Sequence, residues 1–341
     1  MIDLRSDTVT KPDQMMRAAM AAAEVGDDVF GEDPTVSLLQ NTIADRLQKE
    51  AALFVPSGVM CNQIALRVHT SPGDEVLLDA GSHIANYESG AAAALAGVQL
   101  KQIQSERGHP SVQAFNEGIR AGFYWEPRPR LICLENTHNK AGGVVYPLDE
   151  IEKIADLARD ADLGMHLDGA RLWNASIATG IPEAEYARHF DSVSVCMSKG
   201  LGAPVGSVLA GTDEFIQKAH RFRKMYGGGM RQAGILAAAA LYALENNYTG
   251  LATDHEHAQS LAAVIGALET FSLRPGGVDT NIVIFDVIDG RSATEILEDL
   301  KEVGVLMVPF GPTTIRATTH RDVSSEDIRS ASDLLRKLYG S

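Results

Sequence analysis

Short apolar runs alternate with longer amphipathic stretches over the first two thirds of this 341-residue chain. The runs have the lengths of strands and lie over residues 51–55, 75–79, 98–103, 130–134, 164–167, 192–197 and 208–210. This alternation favours a mostly parallel sheet, because parallel strands are joined by crossover helices that cover both faces. We therefore expect an α/β fold with a seven-stranded sheet, and we expect ligands at the carboxyl ends of its strands.

The pattern changes beyond residue 247. A helix is expected over residues 253–271, and short strands and helices follow it without regular alternation. Ser324 and Asp327 form a capping-box start for the last helix. We therefore predict a large domain with an N-terminal arm over residues 1–246 and a small α+β domain over residues 247–341.

The composition of the chain indicates which partners it can bind and in which compartment it is found. The formal net charge of −15 argues against nucleic acid and anionic membranes as partners. No apolar run has the length of a membrane span, and we expect no secretory signal. Cys61, Cys133 and Cys196 are widely spaced in apolar contexts, which predicts reduced thiols in a cytoplasmic protein. No spacing typical of metal ligands occurs, so we expect no metal site.

One lysine stands between a strand pattern and a glycine-rich segment. Lys199 follows the run over residues 192–197, and Gly200 and Gly202 come after it. Glycines disfavour regular structure and allow close backbone approach. A lysine held at a strand end suits a Schiff base, because burial favours the neutral amine, whose lone pair is the nucleophile. The alternative is a solvated lysine in a turn.

Two other predicted strand ends carry polar motifs. Ser57, Gly58 and Val59 open a helix whose free N–H groups form an anion site suited to phosphate. The alternative is an ordinary strand-to-helix turn. Asp168 ends another apolar run, and Arg171 follows three residues later. A carboxylate at this position can pair with a protonated pyridine nitrogen, whereas the alternative is a structural ion pair between these two residues.

Single charged residues mark three further stretches. His83 follows a strand end, ahead of a helix expected to begin near Tyr87, and its imidazole can stack on a flat cofactor or move a proton. Arg316 is the only charge in its predicted strand, which suits a clamp for a carboxylate. Lys224 lies in a basic segment with three consecutive glycines (227–229), which admits a ligand or another backbone. The alternatives are a surface histidine and a solvated basic face.

The combination is more specific than any of its members. A strand-end lysine, an earlier strand-end aspartate with an arginine, a phosphate turn and a late arginine occur in the order found in a pyridoxal 5′-phosphate (PLP) enzyme of aspartate-aminotransferase-like fold, fold type I. The chain closely resembles the threonine aldolase family of these enzymes. The shared stretches are residues 3–10, 26–31, 134–139, 166–171, 198–207, 225–232 and 319–324.

The resemblance implies PLP as the cofactor and assigns the residues that bind it. Lys199 would carry PLP as a Schiff base. Asp168 would pair with the pyridine nitrogen, and Arg171 would bond the phenolic oxygen of the ring. Gly58 and Val59 would offer backbone N–H groups to the phosphate.

The resemblance also implies substrate contacts, an assembly and a reaction. His83 would stack on the ring, and Ser6 and Arg316, together with Arg171, would bind the substrate. Lys224 would reach the phosphate from a neighbouring subunit of a homotetramer, a dimer of dimers with shared active sites. The implied reaction is retro-aldol cleavage of L-threonine, L-allo-threonine and related L-β-hydroxy-α-amino acids to glycine and an aldehyde. The alternatives are a β-eliminating lyase of the same superfamily and a non-catalytic protein of the PLP fold.

Three residues depart from the family pattern. Phe30 stands where the family often has tyrosine, and Val59 replaces threonine or a similar small polar residue. Trp125 falls where many members carry a second active-site histidine, and an indole cannot act as a base. We therefore expect Phe30 and Trp125 to make the substrate side-chain pocket less polar, and His83, with Tyr87 nearby, to be the base for the β-hydroxyl proton. The alternative is that Trp125 packs in a loop outside the site.

Overall fold

A computed structural model of the chain describes residues 1–340. The strands are β1 (Ile2–Asp3), β2 (Ala51–Val55), β3 (Glu75–Asp79), β4 (Gln99–Ile103), β5 (Pro129–Glu135), β6 (Gly164–Gly169), β7 (Ser192–Cys196), β8 (Ser207–Gly211), β9 (Phe271–Leu273), β10 (Ile282–Val287), β11 (Val305–Leu306), β12 (Val308–Pro309) and β13 (Thr314–Thr318). The α-helices are α1 (Gln14–Ala21), α2 (Pro34–Leu47), α3 (Gly58–His69), α4 (His83–Asn86), α5 (Val112–Gly118), α6 (Leu148–Asp160), α7 (Leu172–Thr179), α8 (Glu183–Ala187), α9 (Asp213–Met225), α10 (Gly234–Asn246), α11 (Leu251–Ile265), α12 (Ala293–Glu302) and α13 (Ser325–Tyr339).

Seven strands form the main sheet in the order β2-β8-β7-β6-β5-β3-β4. Neighbouring strands are parallel except around β8, which runs antiparallel to both β7 and β2. Strands β3, β7 and β8 are buried at every residue, because helices cover both faces of the sheet. The prediction of a mostly parallel, seven-stranded α/β sheet is confirmed.

The two faces of the central strands differ in polarity. The apolar residues that β6 and β7 contribute to the large core are Met165, Leu167, Val193 and Val195. Successive residues of a strand point to opposite faces, so the polar residues between them face α3. These polar residues are His166, Asp168, Ser192 and Ser194. A polar layer therefore lies between α3 and the sheet and reaches the carboxyl edge at Asp168.

A second, smaller unit contains the antiparallel sheet β12-β13-β10-β9, with α11, α12 and α13 packed around it. Its core is separate from the large one and includes Phe285, Ile315 and Leu335. The N-terminal strand β1 pairs in parallel with β11, and Leu4 lies in this same core. The capping box predicted for the last helix is confirmed at the start of α13. The predicted division after residue 246 falls between α10 and α11 and stays a prediction.

Two helix predictions are wrong. Helix α11 ends before Gly266, which disfavours its continuation, and Phe271 is buried instead in β9, on the edge of the small sheet. The helix expected near Tyr87 lies earlier, as the single turn α4. Ser89 and Gly90 have positive φ angles of 54° and 73°, which turn the chain back after α4.

Two expectations from composition concern the membrane and the thiols. Among residues 1–340, no helix combines the length and the apolar character needed to cross a bilayer. All three cysteines are buried as free thiols.

Candidate active site

Nine of the twelve predicted site residues meet in one cleft at the carboxyl ends of β3, β6 and β7. The inner part of the cleft is lined by Gly58, Val59, His83, Asp168, Arg171 and Lys199. Lys199 lies just beyond β7, and its backbone carbonyl accepts a hydrogen bond from the Thr10 hydroxyl at 3.1 Å. Lys199 also lines the outer part of the cleft, so this one residue borders both compartments.

Ser6, Tyr87 and Arg316 line the outer part of the same cleft. Arg316, on β13, donates from Nη1 to Asn139 Oδ1 at 3.1 Å and from Nη2 to the carbonyl of Arg5 at 3.0 Å. Its Nε is buried and has no hydrogen-bond partner among the described residues. A buried N–H on a fixed guanidinium favours an anionic ligand, such as a carboxylate, in the outer cleft.

Asp168 closes the inner cleft at the end of β6. Its Oδ2 accepts a hydrogen bond from Asn62 Nδ2 at 2.7 Å, and its Oδ1 accepts one from the backbone N–H of Ala170 at 3.1 Å. Burial alone would raise the pKa of this carboxyl, but the charges of His83 and Lys199 outweigh burial and hold the pKa below its usual range. Asp168 is therefore an anion that can pair with a protonated ring nitrogen.

His83 is held by a buried carboxylate. Its Nδ1 lies 2.9 Å from Oε1 of Glu88, and its backbone N–H donates to Glu135 at 2.6 Å. Burial alone would lower the pKa of His83, but the hydrogen bond to Glu88 and the charges of Asp168 and Glu135 outweigh burial and raise the pKa. With Nδ1 held by Glu88, Nε2 is the ring atom left for proton transfer.

A buried ion pair ties the N-terminal arm to the cleft. Arg171 donates from Nε and Nη2 to the two carboxylate oxygens of Asp7, at 2.7 and 2.8 Å. Its Nη1 lies 3.3 Å from Asn139 Oδ1. Burial alone would raise the pKa of Asp7, but the charge of Arg171 outweighs it and lowers the pKa to about 2. Of the five N–H groups of the guanidinium, Asp7 accepts from two and Asn139 from one, so one N–H on each Nη remains for a ligand.

The free energy of unfolding of the Asp7→Asn variant should approach that of the wild type in acid. A carboxyl whose pKa is lowered on folding stabilises the protein above its unfolded pKa, here 3.8, and this stabilisation is lost as the pH falls towards 2. A pKa lowered from 3.8 to about 2 corresponds to about 2 kcal/mol of stability. Denaturant unfolding of both proteins from about pH 5 to about pH 2 should show the difference shrink by that amount.

The control for this experiment is Asp45→Asn, at an exposed position on α2. That variant should keep a constant difference from the wild type over the same pH range. A constant difference for Asp7→Asn would mean that the Asp7–Arg171 pair does not supply this pH dependence.

Comparison with known proteins identifies the family. The family model described as beta-eliminating lyase matches residues 3–288. The chain is 43% identical to probable low-specificity L-threonine aldolase 2 of Arabidopsis thaliana, over 100% of this chain and 98% of that protein. It is 41% identical to the low specificity L-threonine aldolase of Escherichia coli K12, over 96% of each protein. This chain belongs to the threonine aldolase family.

Solved structures of low sequence identity share the threonine aldolase fold. A Leishmania major threonine aldolase has a TM-score of 0.85 at 20% identity and covers 99% of both chains. A putative L-allo-threonine aldolase of Listeria monocytogenes has a TM-score of 0.82 at 22% identity, over 98% of this chain and 96% of that one. The expected fold type I and the expected class of enzyme, a PLP-dependent aldehyde-lyase, are confirmed.

The cleft of this threonine aldolase fits PLP. The first amides of α3, from Gly58 and Val59, have no intrahelical partners and line the cleft, so they can bind an anion at the helix start. Gly58 must lack a side chain, because a Cβ there would lie 2.8 Å from the Cys196 sulfur. Asp168 and Lys199 line the same part of the cleft. The cleft thus offers partners for a phosphate, a ring nitrogen and an aldehyde.

Three predicted residues lie outside the cleft of their own chain. Phe30 is 75% exposed, and Trp125 is 66% exposed and stacks on Phe123 with 4.8 Å between ring centroids. Lys224 lies in the last turn of α9 and lines neither part of the cleft within the described chain. Binding roles for these three residues therefore depend on a neighbouring chain, and they stay predictions.

Sequence reasoning assigned no role to four buried polar residues that the structure places around the site of this threonine aldolase. They are Asp7, Asn62, Glu88 and Asn139. Each forms a hydrogen bond to a predicted site residue. The available signal was their position, since Asp7 and Asn139 fall inside the shared stretches, and Asn62 and Glu88 follow shortly after the predicted residues Val59 and His83. Their partners, however, are distant in sequence or depend on where a short helix ends.

Proposed function

We propose that this chain cleaves L-threonine, L-allo-threonine and related L-β-hydroxy-α-amino acids to glycine and an aldehyde, with PLP as cofactor. The observation that carries the proposal is the convergence of Lys199, Asp168 and Arg316 on one cleft. An amine, a carboxylate and a guanidinium suit, in turn, an aldehyde, a protonated ring nitrogen and a substrate carboxylate. The relatives named as low-specificity L-threonine aldolases support the same reaction.

The inner cleft would hold the cofactor. Lys199 binds its aldehyde carbon, and the backbone N–H groups of Gly58 and Val59 bind its phosphate. Asp168 pairs with the ring nitrogen, and the N–H groups of Arg171 that neither Asp7 nor Asn139 takes are left for the phenolic oxygen. When bound, PLP accepts the electron pair left by the broken Cα–Cβ bond.

The outer cleft would hold the substrate carboxylate. Arg316 offers its unpartnered Nε, and Ser6 offers a hydroxyl from the N-terminal arm. A held carboxylate restricts rotation of the substrate and so selects which bond to Cα breaks. The side chain of Tyr87 closes the same compartment next to His83, with 5.5 Å between the ring centroids.

His83 would remove the proton of the β-hydroxyl group through Nε2, directly or through a water molecule. Glu88 accepts from Nδ1 and stabilises the imidazolium that forms, so it makes His83 a stronger base. Such a base works in its neutral form, so kcat should fall as the pH drops below the raised pKa of His83.

The test of the reaction is the product. Holoenzyme supplied with L-threonine, L-allo-threonine or phenylserine should release glycine and the corresponding aldehyde. The description of the matching family model favours one second candidate, β-elimination. That reaction needs a leaving group on Cβ and yields pyruvate and ammonia. Pyruvate and ammonia from such a substrate, with no glycine from threonine, would contradict the proposal.

Replacing Arg316 with Ala should lower kcat/KM for L-threonine by about 10–150-fold. The change removes a charge-assisted contact to the substrate carboxylate, worth roughly 1.5–3 kcal/mol. Because the clamp also orients the substrate, kcat should fall and not only KM rise. The control is Arg336→Ala, at an exposed arginine on α13 that pairs with Asp333, which should leave kcat/KM unchanged. If Arg316→Ala also leaves it unchanged, the carboxylate is held elsewhere.

We further propose a cytoplasmic homotetramer whose chains share active sites. Phe123, Tyr124 and Trp125 form a cluster of exposed aromatic side chains, of the kind that protein interfaces cover. In this assembly a neighbouring chain supplies Lys224 to the phosphate, and Phe30 and Trp125 to the side-chain pocket. The buried free thiols fit the reducing conditions of the cytoplasm.

Replacing Trp125 with His should shift the ratio of kcat/KM values towards threonine and away from phenylserine. An imidazole can bond a β-hydroxyl group, whereas an indole offers a large apolar face that suits an aromatic substituent. The matched control is Tyr124→His, one residue earlier and 94% exposed, which should leave the ratio unchanged. Equal changes for both substrates, or sedimentation of a fully active monomer, would contradict this arrangement.

A further inference from the structure

A continuous row of hydrogen bonds runs from Asp168 through the layer between α3 and the main sheet. Asp168 Oδ2 lies 2.7 Å from Asn62 Nδ2, and Asn62 Oδ1 lies 3.1 Å from His166 Nε2. His166 Nδ1 lies 2.9 Å from Ser192 Oγ, which lies 2.7 Å from His69 Nε2. We call these five residues the hydrogen-bond row. It starts in the cleft and ends in a surface depression at the opposite edge of the sheet.

The secondary structure explains why these residues meet. His166 and Asp168 are two residues apart on β6 and share a face, and His166 is the register partner of Ser192 on β7. Asn62 and His69 are seven residues apart on α3, which is two helical turns on the same face. Polar side chains in such a layer cost free energy unless each is hydrogen-bonded, and here each one is.

The amide of Asn62 sets the direction of the row. Its Nδ2 lies 2.7 Å from Asp168 and 2.8 Å from Glu88, and both of these carboxylates accept hydrogen bonds. Its Oδ1 must therefore face His166 and accept from it, so Nε2 of His166 carries a hydrogen. The neutral imidazole of His166 then has an accepting Nδ1.

The remaining links follow from that tautomer. The hydroxyl of Ser192 donates to Nδ1 of His166, and its oxygen is left to accept from Nε2 of His69. Every donor in the row thus points towards Asp168. Burial lowers the pKa of His166 to about 3 and that of His69 to about 4, so both rings are neutral near pH 7.

A chain of aligned hydrogen bonds polarises each of its members and strengthens the last one. Here the last bond is the one that Asn62 donates to Asp168. We propose that His166 is a positioning residue that acts through Asn62, with Ser192 and His69 behind it, to keep Asp168 ionised, so that the ring nitrogen of the bound cofactor carries the proton. The inference rests on the proposed pairing of Asp168 with that nitrogen. It adds that four neutral side chains, Asn62, His166, Ser192 and His69, stabilise the ionised form of Asp168 in its pair with the ring nitrogen.

The test follows the ring nitrogen itself, in holoenzyme loaded with PLP labelled with nitrogen-15 in the ring. In His166→Phe, which removes both ring nitrogens from the row, the nitrogen-15 resonance should move from the position of a protonated ring towards that of an unprotonated one. Ser192→Ala removes only the bonds from Ser192 to His166 and His69. In this variant the resonance should move in the same direction but by a smaller amount. For His166→Phe we expect kcat to fall by about 2–13-fold, the equivalent of one hydrogen bond.

Two controls make the result specific. His257→Phe changes another buried histidine, which bonds Ser325 in the C-terminal unit, and it should leave the resonance in place. Asp168→Asn should move the nitrogen-15 resonance further than either His166→Phe or Ser192→Ala.

Three outcomes would overturn the inference. The first is a resonance that moves in Asp168→Asn but stays in place in both His166→Phe and Ser192→Ala. This outcome would overturn the inference even if His166→Phe and Ser192→Ala lower Tm. The second is an equal movement in His257→Phe. The third is an unmoved resonance in Asp168→Asn, which would refute the pairing of Asp168 with the ring as well. If His166→Phe does not fold, the resonance of Ser192→Ala alone tests the inference, because that variant loses only a hydroxyl group.

Discussion

Replacing Lys199 with Ala should lower kcat by about 10²–10⁴-fold, because the variant loses the amine proposed to bind the cofactor aldehyde, a group that can also transfer protons. Lys199 lines both the inner and the outer cleft, which places this residue between the proposed sites of the cofactor and the substrate. Alanine removes this amine but leaves Asp168 and Arg316 in place. The variant should therefore still bind PLP without a covalent bond, and the loss should appear mainly in kcat.

Reduction with borohydride distinguishes this effect from general damage to the protein. In the wild type, reduction should fix PLP to the peptide that contains Lys199, and in Lys199→Ala it should fix none. The matched control is Lys218→Ala, at an exposed lysine on α9 that pairs with Glu214, which should keep both kcat and labelling. Labelling of a different lysine in the wild type would show that the reactive amine is misassigned.

The sheet and the inner cleft were predictable from the sequence for one physical reason. Strands buried on both faces need nearly continuous apolar runs, so a polar residue at the end of such a run is conspicuous. Asp168 near the end of β6 and Lys199 after β7 are residues of this kind. Because the carboxyl ends of parallel strands meet at one edge, both were expected at the same site, and the structure places them there.

The contacts around these residues were not predictable in the same way. Asp7 meets Arg171 only because β1 anchors the N-terminal arm on the small unit. Glu88 reaches His83 because α4 is a single helical turn that ends at Asn86, and apolar periodicity does not encode where so short a helix ends. The side chain of Trp125 is exposed and lies outside the cleft of its own chain, so its role in the side-chain pocket stays a prediction.

Replacing Asp168 with Asn should lower kcat by about 150–5,000-fold and weaken the binding of PLP. Removing one partner of a buried charge pair costs roughly 3–5 kcal/mol, and each 1.36 kcal/mol corresponds to about tenfold in rate. Asparagine has nearly the shape of aspartate, and its side-chain oxygen can still accept from Asn62 Nδ2, which lies 2.7 Å from Asp168 Oδ2. The variant therefore loses the negative charge and the hydrogen bond from the backbone N–H of Ala170, because the amide nitrogen that replaces Oδ1 cannot accept it.

The measurement pairs kcat with the dissociation constant of PLP, because the charge should matter for both. The control is Asp74→Asn, at the amino end of β3, where a buried aspartate pairs with Arg128 at 2.9 Å. Both substitutions remove a buried charge of the main domain, so both should lower Tm, but only Asp168→Asn should change kcat and PLP affinity. If Asp168→Asn keeps wild-type values of both, the ring nitrogen works without a charged partner. The carboxylate at the end of β6 would then serve the packing of α3 rather than the chemistry.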